Sequence, residues 1–133
     1  MDTKIVLIED DVELVEALCL MFAHSWPEAH VVYSYTGKGG IELASKEEAD
    51  VIVLDLGLPD ISGFEVLRQI RLFSSVPVIV LTARSGEDSI VQAMDEDATD
   101  YMLKPFRHSE LLARIRAHTN RWWTGEIRRI MQG

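Results

Sequence analysis

Val51-Ile52-Val53-Leu54-Asp55 decides the fold. Four apolar residues run without polar alternation and end on a carboxylate. Such a run fits a strand buried on both faces, as in a parallel sheet covered by helices on either side. Working outward, the same pattern repeats. Ile5-Val6-Leu7-Ile8 runs into Glu9-Asp10-Asp11, Val78-Ile79-Val80-Leu81 into Thr82, and Tyr101-Met102-Leu103 into Lys104-Pro105. In an open parallel sheet, ligands bind beyond the carboxyl ends of the strands, where the strand order reverses. The sequence therefore aims carboxylates, a hydroxyl and an ammonium group at one edge of one sheet.

Between these runs lie longer segments of helical period. The spacing predicts strands over 4–8, 31–34, 51–55, 76–81 and 100–103, and helices over 11–23, 37–45, 64–73, 88–94 and 109–118. Leu14, Leu18, Met21 and Phe22 stripe the first helix, and Trp26-Pro27 ends it. Gly39-Gly40 is expected to weaken the second. Val66, Leu67 and Ile70 face the third inward, and Leu111, Leu112 and Ile115 the last. Five strand–helix units at this spacing predict an α/β doubly wound parallel sheet with right-handed crossovers.

The chain of 133 residues is long enough for one domain with an ordinary core, at 47% apolar and 26% charged residues. No apolar run approaches the roughly 18–20 residues that span a bilayer. No cationic segment followed by an apolar one opens the chain, so no export signal is read and a cytoplasmic location is expected. Cys19 is the sole cysteine and sits in a helical apolar pattern, which reads as a small core residue. The net charge of −9 argues against this chain binding nucleic acid by itself. A dinucleotide or flavin binder on the same architecture would need a glycine-rich loop after the first strand, where Glu9-Asp10-Asp11 would repel phosphate.

Carboxylates without His or Cys partners suit a hard cation such as Mg²⁺. A lysine beside them suits a phosphoryl group. Asp11 is expected to cap the first helix.

Four motifs taken together carry a resemblance: Ile8-Glu9-Asp10-Asp11, Asp55-Leu56-Gly57-Leu58-Pro59-Asp60-Ile61-Ser62-Gly63, Leu81-Thr82-Ala83-Arg84, and Asp100-Tyr101-Met102-Leu103-Lys104-Pro105-Phe106. The chain resembles the CheY-like receiver domain of two-component response regulators over about residues 4–121. The resemblance implies a flavodoxin-like (βα)5 fold with strand order 2-1-3-4-5. Asp55 would take a phosphoryl group, as a mixed anhydride, from a phosphohistidine on a sensor histidine kinase. Asp10, Asp55 and the backbone carbonyl of Gly57 would hold Mg²⁺, with Glu9 acting through water. Lys104 would contact the phosphoryl oxygens or, before transfer, Asp55, and its bond to Pro105 would be cis. Thr82 and Tyr101 would form the switch, the hydroxyl moving to the phosphoryl group and the ring turning inward behind it. Gly57 and Arg84 stand where the family tunes phosphoryl lifetime. Asp97 stands where the family usually has Gly.

The resemblance extends to the OmpR/PhoB winged-helix transcription factors, which dimerise on phosphorylation. The matching cross-subunit pairs are Asp100 with Arg114 and Asp88 with Arg121; Glu110 would face a basic residue where this chain has Ile90. Residues 1–121 are read as the receiver, and 122–133, with Trp122 and Trp123, as the end of the last helix or the start of a linker to a missing output domain. DNA would be reached only through that domain, and no membrane is involved. No turnover of an external substrate is expected, only self-phosphorylation from the donor and self-dephosphorylation. The alternative is a stand-alone or hybrid-kinase receiver acting in a phosphorelay or by protein binding without DNA.

Overall fold

The computed structural model describes residues 2–83 and 87–119. Five strands and five helices alternate. They are β1 (Lys4–Ile8), α1 (Val12–Ser25), β2 (His30–Ser34), α2 (Gly37–Lys46), β3 (Val51–Asp55), α3 (Gly63–Arg71), β4 (Val78–Thr82), α4 (Glu87–Asp95), β5 (Asp100–Leu103) and α5 (His108–Thr119). The strands form one sheet in the order β2-β1-β3-β4-β5, every pair parallel. That is the expected order.

Strand pleat divides the core. Val6, Ile8, Ile52, Leu54, Val78 and Val80 point to one side of the sheet, against Ala44 of α2, Leu67 and Ile70 of α3 and Ala93 of α4. Ile5, Leu7, Val51, Val53, Ile79 and Leu81 point to the other, against Leu18 and Phe22 of α1 and Leu111 and Ile115 of α5. Both faces of β3 and β4 are therefore covered along their whole length, which is why these strands read as unbroken apolar runs. Burying each such Val, Leu or Ile stabilises by about 1.5–3 kcal/mol, so a polar residue inside either run would be disfavoured.

Several boundaries differ from the sequence expectation. Asp11 lies outside α1 and caps it, its carboxylate accepting from the Leu14 N–H at 3.1 Å. The third helix stops at Arg71, leaving Leu72 and Phe73 exposed beyond it, although both continue its apolar pattern. β4 starts at Val78 and not at residue 76, because Pro77 has no N–H for the ladder; its carbonyl still accepts from Ile52. The second helix runs unbroken through Gly39 and Gly40. A side chain at Gly40 would lie 2.6 Å from Ile8, so the glycine is what lets α2 pack on β1. Asp97, in the turn after α4, has φ 66°, the left-handed conformation that Asp tolerates.

The strand order reverses at β1. Its two neighbours in the sheet, β2 and β3, are reached by crossovers on opposite sides, which opens a crevice at the carboxyl ends of β1 and β3. The loop leaving β3 turns back sharply. At Gly63 a Cβ would fall 2.4 Å from Leu56 Cα and 2.6 Å from the Asp55 carbonyl, both backbone atoms that cannot swing aside. Gly63→Ala is therefore expected to cost about 1–3 kcal/mol of unfolding free energy, read as a lower urea midpoint at unchanged slope.

Candidate functional site

Four of the five strand ends deliver the expected residues to the crevice. Glu9 and Asp10 follow β1, Asp55 ends β3, Thr82 ends β4 and Lys104 follows β5. Glu9, Asp55 and Thr82 are buried at 1%, 5% and 2% exposure, the only buried polar or charged residues among those described. The apolar interior of the sheet thus ends in a small polar cluster in which Glu9, Asp55 and Thr82 are buried and Asp10 is exposed.

Lys104 ties the cluster together. Its Nζ lies 2.6 Å from Glu9 Oε1 and 3.5 Å from Asp55 Oδ1. The expected Lys104–Asp55 contact is present, but the closer partner is Glu9, 95 residues away in sequence. Both carboxylates are buried, so a charge on either must be met by protein. Asp55 Oδ1 has a second donor, the N–H of Gly57 at 3.2 Å. The Lys104–Pro105 bond is cis, as expected. The backbone N–H of Lys104 donates to the Thr82 carbonyl at 2.8 Å, which aligns the ends of β4 and β5.

Donor oxygens of Glu9, Asp10 and Asp55 all lie within 4.8 Å of one another. Glu9 Oε2 is buried with no hydrogen-bond partner. An all-oxygen set containing an unsatisfied buried oxygen fits a hard divalent cation such as Mg²⁺. Electrostatics reflect the crowding. Burial, then the adjacent Asp55, push the Glu9 carboxyl up to about 8 against the pull of Lys104. Asp10 is raised as well, by desolvation and by Asp55. Burial draws Lys104 down, but its bond to Glu9 and the charge of Asp55 outweigh it and hold the ammonium above its ordinary value. A Cβ placed at Gly57 would lie 3.8 Å from the Asp55 carboxylate, so the glycine leaves the approach to that group open.

Tyr101 is half-buried in β5, against the sheet face that carries α2, α3 and α4. On the surface beside it, Asp100 pairs with Arg114 of the same chain at 2.8 Å. Arg114 also reaches Glu110 at 3.2 Å, and His118 meets the other Asp100 oxygen at 3.2 Å. These charges were expected across a subunit boundary; here they close within one chain. His118 was missed, although it lies four residues after Arg114 and so on the same helix face. Asp88 is exposed on α4, apart from this group. Arg84, Arg121, Trp122 and Trp123 lie outside the described residues.

A family model for the response regulator receiver domain matches residues 5–116. The chain belongs to that family. This receiver domain is 42% identical over 119 residues to the response regulator ArlR of Staphylococcus saprophyticus, covering 90% of this chain and 53% of that protein. It is 40% identical over 119 residues to the transcriptional regulatory protein KdpE of Mycobacterium tuberculosis, covering 90% and 52%. The receiver domain thus spans about half the length of these curated relatives. Among solved structures, the BeF3-activated receiver domain of DrrB matches with a TM-score of 0.81 at 32% identity, over 91% of this chain and 100% of that one. DrrB is described as a Thermotoga maritima OmpR/PhoB homolog. Among the described residues, no helix is long and apolar enough to cross a membrane.

The raised Glu9 carboxyl has a consequence for stability. Between its ordinary value of 4.5 and about 8, the folded state binds more protons here than the unfolded state. Stability then falls as pH rises through that window. In metal-free buffer, Glu9→Gln is expected to remove this loss: thermal midpoints of variant and wild type converge at the acid end of the window and diverge in favour of the variant at its alkaline end. Parallel curves would contradict the assignment.

Proposed function

We propose that Asp55 accepts a phosphoryl group from a phosphohistidine of a sensor histidine kinase, with Mg²⁺ as cofactor, and that the change is read on the face made by α4, β5 and α5. The observation that carries this reading is the convergence of Glu9 and Asp10, Asp55, and Lys104, from three places in the sequence, on one crevice at the end of the sheet.

In the transfer, an Asp55 oxygen lone pair forms the new O–P bond while the donor's N–P bond breaks; the electron pair returns to the imidazole. Asp10, Asp55 and the Gly57 carbonyl would hold Mg²⁺, with Glu9 reached through water, and the ion would offset charge gathering on the phosphoryl oxygens. Lys104 is close enough to both carboxylates to follow those oxygens as they arrive. Gly57 leaves Asp55 accessible to an incoming donor and, later, to water. The position two residues after Asp55 carries no general acid, which favours a self-phosphorylating switch over an enzyme with an external substrate.

Thr82 follows Leu81, the cross-strand partner of Asp55 in the β3–β4 register, so its hydroxyl is one residue from the acceptor. Movement of that hydroxyl toward a phosphoryl oxygen would vacate space for the Tyr101 ring, coupling a local charge event to the surface of β5. The output face offers exposed Val91 and Met94 on α4 and exposed Leu103 on β5, the last lining one hollow with Asp100, Glu110 and Arg114. In a phosphorylation-dependent homodimer, Asp100 and Arg114 would exchange their present intrachain contacts for cross-subunit ones, with Asp88 and Arg121 as the second pair. Glu110 lacks a basic partner at Ile90 and stays with Arg114. Contact with DNA, and transcription regulation, would come through a separate output domain; relatives about twice as long, one of them a transcriptional regulatory protein, favour this over a stand-alone receiver.

Beryllofluoride, a phosphoryl mimic, tests the reading. With Mg²⁺ it is expected to shift wild type from monomer to dimer in sedimentation, and to leave Asp55→Ala monomeric. Binding at Asp55 without dimerisation would move the output to another partner. Absence of any binding to wild type would overturn the acceptor assignment.

A further inference from the structure

The loop after Asp55 is held near both ends by local hydrogen bonds, one to the Asp55 carboxylate and one within its backbone. The Gly57 N–H donates to Asp55 at 3.2 Å, and the Gly63 N–H to the Leu56 carbonyl at 3.2 Å. Its tip is held from outside. Asp60, itself exposed, accepts from the backbone N–H groups of Gly37 at 2.7 Å and Lys38 at 2.9 Å, the first two residues of α2. Those are donors a helix start leaves without intrahelical partners. Thr36 already caps the helix, accepting from Gly39 at 3.1 Å, so Asp60 serves donors the local cap does not reach.

The docking is close. A Cβ at Gly37 would lie 2.7 Å from Ile61 Cγ1 and 2.9 Å from Val66, so the bare glycine backbone is what lets the loop seat there. The other side of α2 is tied to β1. The turn before the helix starts at Ser34, whose carbonyl accepts from the Glu9 N–H at 3.1 Å, while the Ser34 hydroxyl bonds backbone of Thr36. Asp60 is thus fixed to the start of α2 by two hydrogen bonds, and only Leu58 and Pro59 of the chain separate that anchor from Gly57, whose N–H meets Asp55.

We propose that Asp60 is a positioning residue for the acceptor site: by pinning the loop tip to the start of α2, it sets where the Gly57 backbone stands relative to Glu9, Asp10 and Asp55. It touches neither cation nor phosphoryl group. This rests on the reading of those residues as the Mg²⁺ site, and direct cation binding separates the two claims. Outer residues that orient metal ligands commonly matter by 10–100-fold in affinity.

The experiment is Mg²⁺ titration calorimetry on wild type, Asp60→Ala, Asp60→Asn and Thr36→Ala, with thermal midpoints measured on the same samples. Asp60→Ala is expected to weaken Mg²⁺ by about tenfold. Asp60→Asn, which keeps a carbonyl acceptor, is expected to recover part of that loss. Thr36→Ala removes the other cap of α2 and is expected to lower the midpoint with Mg²⁺ affinity near wild type. Equal Mg²⁺ affinity in wild type and Asp60→Ala would overturn the proposal, as would a loss in Thr36→Ala as large as in Asp60→Ala. Absence of Mg²⁺ binding to wild type itself would instead overturn the metal assignment on which it rests. A misfolded Asp60→Ala leaves the decision to Asp60→Asn: affinity equal to wild type contradicts the proposal, and a partial loss at wild-type midpoint supports it.

Discussion

The site is governed by the placing of carboxylates at the end of a sheet whose only other buried polar side chain, among the described residues, is Thr82. Two ionised carboxylates whose oxygens lie within 4.8 Å of one another repel by roughly 3 kcal/mol or more at an effective dielectric of about 20. Burial raises the cost further for Glu9. One ammonium group, Lys104, is available to the pair, and it cannot neutralise three acids. The metal-free site is therefore poised: electrostatically unfavourable by itself, and relieved by a proton on Glu9 or by a divalent cation. That imbalance gives a reason for the cation and makes the cluster sensitive to any charge added at Asp55.

The scaffold can hold such a cluster because the apolar layers beneath it are continuous. β3 and β4 are buried from end to end, and α1 and α5 on one side and α2 to α4 on the other clamp them. A glycine at each close approach lets the layers meet: Gly40 under Ile8, Gly63 against the backbone after Asp55, and Gly37 under the loop tip. Switching need not disturb this core. Thr82 and Tyr101 lie at its rim, and the Asp100–Arg114–His118 group lies outside it on β5 and α5.

Much of this was legible in the sequence, and the reasons are local. An apolar run ending in Asp, Thr or Lys marks both a strand and what its end presents, so the crevice and its residues were readable from four short motifs, while the strand order came from the family resemblance those motifs carry. Helix boundaries were less readable where two signals conflict. Leu72 and Phe73 extend the apolar pattern of α3 yet fall beyond its end, and Val76-Pro77 reads as strand until the missing proline N–H is counted. Gly39-Gly40 looks like a weak helix in isolation; only the position of Ile8 shows why Gly40 is needed. Partner choice was not readable. Lys104 lies closer to Glu9 than to Asp55, and Asp60 reaches α2 across 23 residues of sequence; neither follows from spacing.

The most direct test of the central claim locates the phosphoryl bond itself. The purified chain is incubated with Mg²⁺ and a small acyl phosphate donor, then reduced with borohydride, which converts an aspartyl phosphate to homoserine. Peptide mass mapping reads the position. The account predicts homoserine at residue 55 alone, dependent on Mg²⁺ and abolished by Lys104→Ala or Asp10→Ala. Reduction at Asp10, Asp11 or any other acid with residue 55 left unmodified would contradict it.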